Sequence, residues 1–468
     1  MTPEVSPQEL VRSGLCIGCG SCVAQADAGL TPAPRIELDR YGNLRPFGPK
    51  AWLASPSERL ARTCPFSPAA ADEDTLAGEL FPAAAHRDPR VGRFETAYVG
   101  YAAADGYRDD GSSGGLTTWV LAELLRRRLV DGVAHVAATS AQGEGGRFFR
   151  YRIARTDDEV RAGAKSRYYP VELSDALREI RTVPGRYAVT GVPCFVKAVQ
   201  LLRREDPIVR ERVAFTLGLF CGHMKSARFV ESLAWQLGVA VDEVERVDFR
   251  RKDVSRPANW YRASLTLRDG RTVERDWWDL ADGDWGAGFF QNAACNACDD
   301  VVGETADVSF GDAWTEPYSS DGRGTNVVIV RSRVVQELVD GGIADGRLQL
   351  EPVDEEFVVR TQAAGFRQRR EGLAYRLSWS RTGVRPRKRV PPSRALPLRR
   401  KLIYRLRSSI SAWSHRVFWL ARAVRRPRLY VVWARAALTV YHGLAYSRGR
   451  LGTLVERVAR RPRLRPRP

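Results

Sequence analysis

Three cysteines at two-residue gaps, Cys16, Cys19 and Cys22, constrain this chain more than any other feature of its sequence. This spacing lets consecutive thiolates wrap around one compact inorganic core, and the intervening glycines let backbone amides face the sulfurs. An iron–sulfur cubane needs a fourth thiolate, and the next cysteine, Cys64, stands in the Cys-Pro dipeptide that usually closes such a motif. A zinc site more often presents well-separated Cys-x-x-Cys pairs. These four cysteines therefore predict a [4Fe-4S] cluster.

The other four cysteines, Cys194, Cys221, Cys295 and Cys298, form a second candidate set. Only the last two stand in a Cys-x-x-Cys motif, and the first two could be ordinary buried thiols. Both of those follow predicted strands, however, and strand tips deliver ligands to one edge of an α/β sheet. The pattern favours a second four-cysteine cluster.

The formal charge of +19 is located almost entirely at the C-terminus. Residues 385–468 contain 24 of the 74 Lys and Arg residues and one acidic residue, Glu456. Residues 1–384 therefore carry 50 basic and 54 acidic residues, so the body is mildly acidic. The first ten residues are polar and acidic, unlike a secretory signal, and eight cysteines then favour a reducing cytoplasm.

Apolar periodicity predicts an α+β fold. We expect strands over 98–101, 186–190, 213–220 and 327–330, and helices over 116–129 and 227–237. The predicted organisation is a ferredoxin-like iron–sulfur segment at 1–70, a linker at 71–95, a central α/β domain at 96–375, a Pro/Arg-rich flexible linker at 376–397 and a basic amphipathic helical tail at 398–468.

Four segments resemble one known family: Gly191–Cys194, Phe220–His223, Cys295–Asp299 and Ala306–Asp312. They look like the beta subunit of coenzyme F420 hydrogenase/dehydrogenase, a family that includes 7-hydroxymethyl chlorophyll a reductase. The resemblance covers roughly residues 10–370. It implies a flavoprotein with FAD and two [4Fe-4S] clusters that passes electrons between a cluster and a two-electron carrier, with coenzyme F420 as a co-substrate.

The resemblance also indicates a flavin-binding region in the central domain. As an isolated motif, the Ser-Ser-Gly-Gly loop before the helix at 116 would more simply cap that helix. Lys165 belongs to a segment similar to the family's Ser-Lys-Tyr, although here Lys precedes Ser and an Arg is inserted. Its charge would favour an anionic reduced flavin. The candidate flavin contacts are Ser112, Ser113, Gly114, Gly115, Lys165, Ser166, Thr190, Gly191 and Pro193.

Coenzyme F420 carries phosphate and an acidic oligoglutamate tail, so its groove should be basic. Arg250–Lys252 is one candidate for that groove, although a run this short is more often solvated surface. No catalytic residue can be assigned from the sequence. A nicotinamide Rossmann domain is not supported, because no Gly-x-Gly-x-x-Gly or P-loop motif is present.

The tail at 398–468 combines arginines with Trp, Tyr and Leu at helical spacing, which is typical of a helix lying in a membrane interface. Its apolar stretches are shorter than a membrane span. We expect a cytoplasmic protein, peripheral at the anionic inner face of the membrane. Partner docking or disorder is an alternative. Nucleic acid is disfavoured, because the acidic body offers no complementary groove.

The sequence thus predicts an iron–sulfur flavoprotein oxidoreductase that works with coenzyme F420 or a redox partner protein. Two alternatives stay open. The chain could be an electron-relay subunit whose substrate chemistry lies in a partner, or a non-enzymatic scaffold held together by zinc and docked to the membrane by its tail.

Overall fold

The computed structural model describes residues 4–27, 29–104, 106–139, 146–380, 382–449 and 452–453. The end of the predicted tail, residues 454–468, lies outside the described residues. The strands are β1 (Arg35–Leu38), β2 (Leu44–Phe47), β3 (His86–Asp88), β4 (Gly92–Phe94), β5 (Thr96–Ala102), β6 (Gly132–Ala138), β7 (Phe149–Ala154), β8 (Tyr187–Gly191), β9 (Val213–Leu219), β10 (Val244–Arg251), β11 (Arg262–Leu267), β12 (Thr272–Asp276), β13 (Val308–Asp312), β14 (Asn326–Val330) and β15 (Leu348–Val353).

Helices surround these strands. They are α1 (Pro7–Arg12), α2 (Ser21–Ala24), α3 (Lys50–Ala54), α4 (Glu58–Thr63), α5 (Glu73–Leu80), α6 (Tyr107–Asp110), α7 (Leu116–Arg126), α8 (Asp157–Ala162), α9 (Ser174–Thr182), α10 (Pro193–Glu205), α11 (Pro207–Arg212), α12 (Arg228–Leu237), α13 (Arg333–Ala344), α14 (Glu355–Thr361), α15 (Ala363–Arg369), α16 (Glu371–Leu377), α17 (Leu398–Ala423) and α18 (Pro427–Tyr446).

A mixed eight-stranded sheet forms the centre of the fold, in the order β15-β5-β14-β13-β9-β8-β6-β7. Strand β14 is buried at every position, as expected for a strand covered on both faces. Strands β13, β9, β8 and β6 are mutually parallel, and β5 points the same way because two antiparallel pairings connect it to β13. The segments that follow these five strands therefore meet at one edge of the sheet, where open α/β sheets bind ligands.

The fold is mixed α/β, and the predicted strands and helices of its central domain are present. A three-stranded antiparallel sheet, β10-β11-β12, packs beside the main sheet, with a hairpin turn between β11 and β12. Its core joins Phe249 and Trp277 to Phe229 on α12. The N-terminal segment adds short helices and the β1–β2 hairpin.

The two segments predicted as linkers are packed against the body instead. Residues 71–95 form α5 and the β3–β4 hairpin, because Leu76 packs on Leu201 and Phe94 enters the core beneath β5. In the second segment, the side chains of Lys388 and Arg389 are buried in ion pairs. Apolar and charged partners far away in the sequence anchor both segments, and local composition does not reveal such partners.

Helices α17 and α18 form the predicted tail helices, and they pack on the body as a hairpin. One face of each helix joins the core around α12, where Phe418 stacks on Trp235 and the Tyr430 hydroxyl donates to Asp282. The hairpin is therefore part of the folded body. Within the described ranges, no helix has the length and apolarity that crossing a membrane requires.

Candidate functional site

The first four cysteines line one cavity. Cys16, Cys19 and Cys22 lie on the turn that leads into α2, and Cys64 lies where α4 ends. The rest of the lining is mainly apolar and includes Leu10, Ile17, Ile36 and Leu60. The cysteines predicted from their spacing to act together are therefore brought together, with Cys64 supplied from another helix.

Glycines make this turn possible. Gly18 and Gly20 have φ values of +79° and +84°, which L side chains rarely adopt. A Cβ atom at Gly18 would stand 2.5 Å from the carbonyl oxygen of Leu44, and one at Gly20 would stand 2.5 Å from Glu172 Oε2. Both glycines thus permit a close approach of the turn to the chain around it.

The second four cysteines converge from three parts of the chain. Cys194 lies in the first turn of α10, Cys221 follows β9, and Cys295 and Cys298 lie on and just after a 3-10 helix. Cys194, Cys295 and Cys298 lie in one buried cluster, and burial together with electrostatic interactions with Cys298, Cys221 and Cys295 raises the pKa of Cys194. The Met224 N–H donates to Cys295 Sγ at 3.3 Å, a contact typical of cluster ligands.

The two cysteine sets share one core. Cys19, Cys194, Cys295 and Cys298 belong to the same buried cluster, and Tyr151 lies in it as well. The Tyr151 hydroxyl donates to the Thr190 carbonyl at 2.7 Å. Burial raises its pKa, with smaller contributions from Cys194 and Cys19, so the tyrosine is close to both sets. Groups held at the two sets would be near neighbours.

The donor chemistry of both sets fits a polynuclear core. Within the described residues, no group of three or more His, Cys, Asp or Glu side chains is arranged to hold a metal ion. A cubane differs from a single ion because each thiolate binds its own iron, so its four thiols surround a larger core. Burial and neighbouring thiols raise the pKa of Cys22 and Cys64, the latter to about 12. A positively charged iron core would offset this cost of ionising them.

The sequence did not identify the cations around the second set. Arg369 on α15 donates to the carbonyl oxygens of Cys295, Cys221 and Gly222 at 3.0, 3.2 and 2.8 Å. Arg407 on α17 donates to Gln291 Oε1 at 2.8 Å, and its charge lowers the pKa of Cys295 in the same direction as Arg369 does. No local motif could reveal them, because each lies more than seventy residues from the cysteines it faces.

The Ser-Ser-Gly-Gly loop connects α6 to α7 at the same sheet edge. A Cβ at Gly115, whose φ is +78°, would stand 2.2 Å from the Tyr107 carbonyl oxygen, and one at Gly114 would stand 2.8 Å from the Gly100 carbonyl oxygen. Ser113 Oγ donates to the Thr325 carbonyl at 3.0 Å. Close packing is therefore enough to explain why residues 114 and 115 are glycines, and the hydrogen bond of Ser113 is enough to explain that serine.

Other predicted flavin residues lie beside this loop. The Ser166 N–H donates to Ser112 Oγ at 2.8 Å, which joins the two segments directly. Lys165 has a φ of +104°, and its Nζ lies 3.6 Å from Asp248 Oδ2. Thr190 and Gly191 end β8 and Pro193 begins α10, so they lie next to Cys194.

The basic run Arg250–Lys252 meets the same loop. Lys252 Nζ donates to the Ser113 carbonyl at 2.8 Å and also to the Arg108 carbonyl. Burial, together with the charges of Lys165, Arg250 and Arg108, lowers the pKa of Lys252 to about 7. Lys252 thus contacts the Ser-Ser-Gly-Gly loop directly, and the three cations near it are each paired with a carboxylate, Lys165 with Asp248, Arg250 with Asp312 and Arg108 with Asp321.

Aromatic side chains connect this basic cluster to the second cysteine set. Arg250 lies over the rings of Tyr261 and Trp314. Tyr168 contacts Trp285 at a ring distance of 4.7 Å, and Trp285 contacts His223 at 4.5 Å, two residues beyond Cys221. Tyr168 and Trp285, which we call the aromatic wall, therefore lie between the cations near Arg250 and the second cysteine set.

Comparison with known proteins identifies the family. The model of the coenzyme F420 hydrogenase/dehydrogenase beta subunit N-terminus matches residues 97–178, and that of the C-terminus of the same subunit matches residues 185–356. Together these matches cover more than half of the chain. They include the Ser-Ser-Gly-Gly loop, the Lys165 segment and the second cysteine set.

Individual relatives are distant. The coenzyme F420 hydrogenase subunit beta of Methanosarcina barkeri is 22% identical over 280 residues, which cover 57% of this chain and 85% of that protein. An uncharacterized protein of Methanocaldococcus jannaschii is 24% identical over 231 residues, 47% of this chain and 56% of the relative. A chain of the F420-reducing [NiFe] hydrogenase complex from Methanosarcina barkeri aligns with a TM-score of 0.49 and 19% identity, over 64% of this chain and 99% of that chain. On the evidence of the two family models, the protein belongs to the family of coenzyme F420 hydrogenase/dehydrogenase beta subunits.

Proposed function

We propose that the protein is an iron–sulfur flavoprotein oxidoreductase. Cys16, Cys19, Cys22 and Cys64 would hold one [4Fe-4S] cluster, and Cys194, Cys221, Cys295 and Cys298 would hold another. The observation that carries the proposal is that Cys16, Cys19, Cys22 and Cys64 line one cavity and that cysteines of both sets lie in one buried core. Family membership supports an oxidoreductase role.

The basic cluster at the Ser-Ser-Gly-Gly loop supports FAD as the second cofactor. Lys165, Arg250 and Lys252 would neutralise its pyrophosphate, with Ser112–Gly115 supplying backbone contacts and Ser166 steadying the loop. The aromatic wall of Tyr168 and Trp285 would cover the flavin ring. Thr190, Gly191 and Pro193 would bring the strand tip close to it. FAD supplies two-electron chemistry, and the chain's own residues bind it, orient it and exclude water.

Coenzyme F420 is the co-substrate that we propose for this site, because its phosphate and oligoglutamate tail match a basic entrance. The curated relative from Methanosarcina barkeri is named as a subunit of coenzyme F420 hydrogenase. That name favours a second candidate function, in which this chain relays electrons to a redox partner protein that carries the substrate chemistry. Oxidation of reduced coenzyme F420 by the isolated chain with an artificial acceptor would support the enzyme, and activity only with a partner would support the relay.

The test of the proposal is the absorption spectrum of anaerobically purified protein, with iron, sulfide, zinc and released flavin assayed on the same sample. We expect a brown protein with about eight iron and eight sulfide per chain and bound FAD, because two cubanes contain that number. Zinc without iron or flavin would contradict the proposal and leave the zinc-stabilised scaffold.

We also propose that the protein is cytoplasmic and peripheral at the anionic inner face of the membrane. The outer face of the α17–α18 hairpin supports this proposal, because Trp413, Trp419 and Val432 are exposed there among arginines. Residues 385–449 contain no Asp or Glu. Anionic lipid attracts such a surface by about 1 kcal/mol per basic residue near it.

The membrane proposal predicts that full-length protein sediments with phosphatidylcholine vesicles containing phosphatidylglycerol and much less with phosphatidylcholine alone. Replacing Trp413, Trp419 and Val432 together with serine should reduce sedimentation at least several-fold. The matched control replaces three exposed apolar residues of the body, Val254, Trp260 and Trp278, with serine. Equal loss in both triple variants, or none in the first, would contradict membrane docking. Truncation before α17 is unsuitable because it would expose the core beneath the hairpin.

A further inference from the structure

Two buried guanidinium groups face the second cysteine set. Arg369 is 3% exposed and Arg407 is 6% exposed. The acceptors of Arg369 are the carbonyl oxygens of Cys221, Gly222 and Cys295, and the charge of Arg369 interacts with all four thiols of the set. Arg407 donates to carbonyl oxygens at Trp285 and Gly286 and to Gln291.

Neither guanidinium has a carboxylate partner at ion-pair distance among the residues that the structure describes. Their acceptors are neutral, and the remaining contact of Arg407 is His223 Nδ1 at 3.5 Å. A buried cation without a compensating anion is strongly unfavourable. Arg369 reaches the second set through its hydrogen bonds to the carbonyl oxygens of Cys295 and Cys221, and thiolates that hold an iron–sulfur cluster there would supply its countercharge.

Three carboxylates nearby have hydrogen-bond or ion-pair partners of their own. Asp299, next to Cys298, forms an ion pair with Lys388 at 3.0 Å. Asp300 also lies next to Cys298, and it accepts three backbone N–H groups, from residues 302, 303 and 304. Asp284, which is within electrostatic range of Arg407, lies 2.8 Å from His442.

The first cysteine set has a different environment. Burial raises the pKa of Cys19, Cys22 and Cys64, and the charged groups that contribute most beside it are other cysteines of that set. Arg45 donates to the carbonyl oxygen of Cys16 and is paired with Asp39. The guanidinium that contacts the first set therefore has a carboxylate partner.

We propose that Arg369 and Arg407 are positioning residues that give the second cysteine set a more positive reduction potential than the first. The inference rests on the proposed iron–sulfur function. Reduction adds one negative charge to the group at the thiolates, and a nearby fixed cation stabilises the reduced form more than the oxidised form. The deeper burial of the second set acts in the opposite direction, and the two guanidinium groups outweigh it. An electron that enters at the first set is then held at the second, beside the aromatic wall.

The test is a redox titration of the anaerobic holoprotein, followed by electron paramagnetic resonance. We expect two reduction steps, and the Cys19→Ala variant, which keeps only the second set, identifies that set with the step at higher potential. Arg369→Gln should move this step to lower potential and leave the other step in place. Arg407→Gln, on a different helix, should act in the same direction, so the test does not depend on one variant folding.

Two controls separate charge from structure. Arg369→Lys keeps a cation at the site and should restore most of the potential. Arg367→Gln removes the same charge from an exposed position of α15 and should leave both steps unchanged. If Arg369→Gln and Arg407→Gln keep their full iron content and the reduction potentials of both steps are unchanged, the inference is wrong. It is also wrong if the first set has the higher reduction potential. Absence of iron from the wild-type protein would instead overturn the proposed function.

Discussion

Replacing Cys19 with alanine is expected to remove about half of the iron and sulfide while the other half stays bound. Cys19 lines the first cavity between Cys16 and Cys22, and a cubane that lacks one of its four thiolates is not held stably. The second set draws its ligands from α10, β9 and the 3-10 helix, so its thiols stay in place. Iron and sulfide analysis of anaerobic protein, with circular dichroism to confirm folding, measures the effect.

Ser21→Ala is the matched control for the cysteine variant. Ser21 Oγ lies 3.5 Å from Cys19 Sγ in the same turn, so this change removes a polar contact but no thiolate. We expect full iron in Ser21→Ala. The reciprocal variant Cys295→Ala should also lose half of the iron and should be less stable than Cys19→Ala, because it removes part of the countercharge of Arg369. Unchanged iron in Cys19→Ala would refute the ligand assignment.

Local sequence signals account for the elements that carry the site. Strand β8 ends three residues before Cys194 and β9 ends two residues before Cys221, and the apolar runs of both strands predict them without any partner strand. The spacing of Cys16, Cys19 and Cys22 likewise predicts a shared cavity, because the glycines between them allow one tight turn. Such features depend on residues that are close together in the sequence, so they can be predicted from the sequence alone.

The remaining features depend on contacts between distant parts of the chain. The arginines of α17 suggest a solvated or membrane-bound helix, yet Arg407 is buried, because neutral acceptors from residues 285–291 surround it. The sequence places Lys252 in a short basic run that is typical of solvated surface, but in the fold its Nζ donates to the carbonyl of Ser113, 139 residues earlier in the chain. No periodicity or motif encodes such pairings. The prediction of a surface tail was incomplete for the same reason, since the sequence alone does not show that one face of each tail helix packs on the body.

Replacing Lys388 with methionine is expected to lower the free energy of unfolding by about 3 kcal/mol. The Lys388 side chain is 4% exposed and that of its partner Asp299 is fully buried. Removing one member of a buried pair leaves the other charge without its nearest compensation. Arg389, at 3.5 Å from Asp299, keeps part of the attraction. Urea unfolding followed by far-ultraviolet circular dichroism measures the change.

Arg387 provides the matched control for Lys388→Met. Arg387→Met removes one positive charge from an exposed position one residue away, so stability should change by less than about 0.5 kcal/mol. Asp299→Asn combined with Lys388→Met should recover most of the loss.

The pH dependence of stability is a second test. Burial would raise the pKa of Asp299, but Lys388 and Arg389 lower it below its value in the unfolded chain. The stabilisation by this carboxylate is therefore present above the unfolded pKa and is lost as the pH falls. The deficit of Lys388→Met should therefore shrink below about pH 4. A deficit that is the same at every pH, or equal in Arg387→Met, would mean that the buried pair does not anchor this segment.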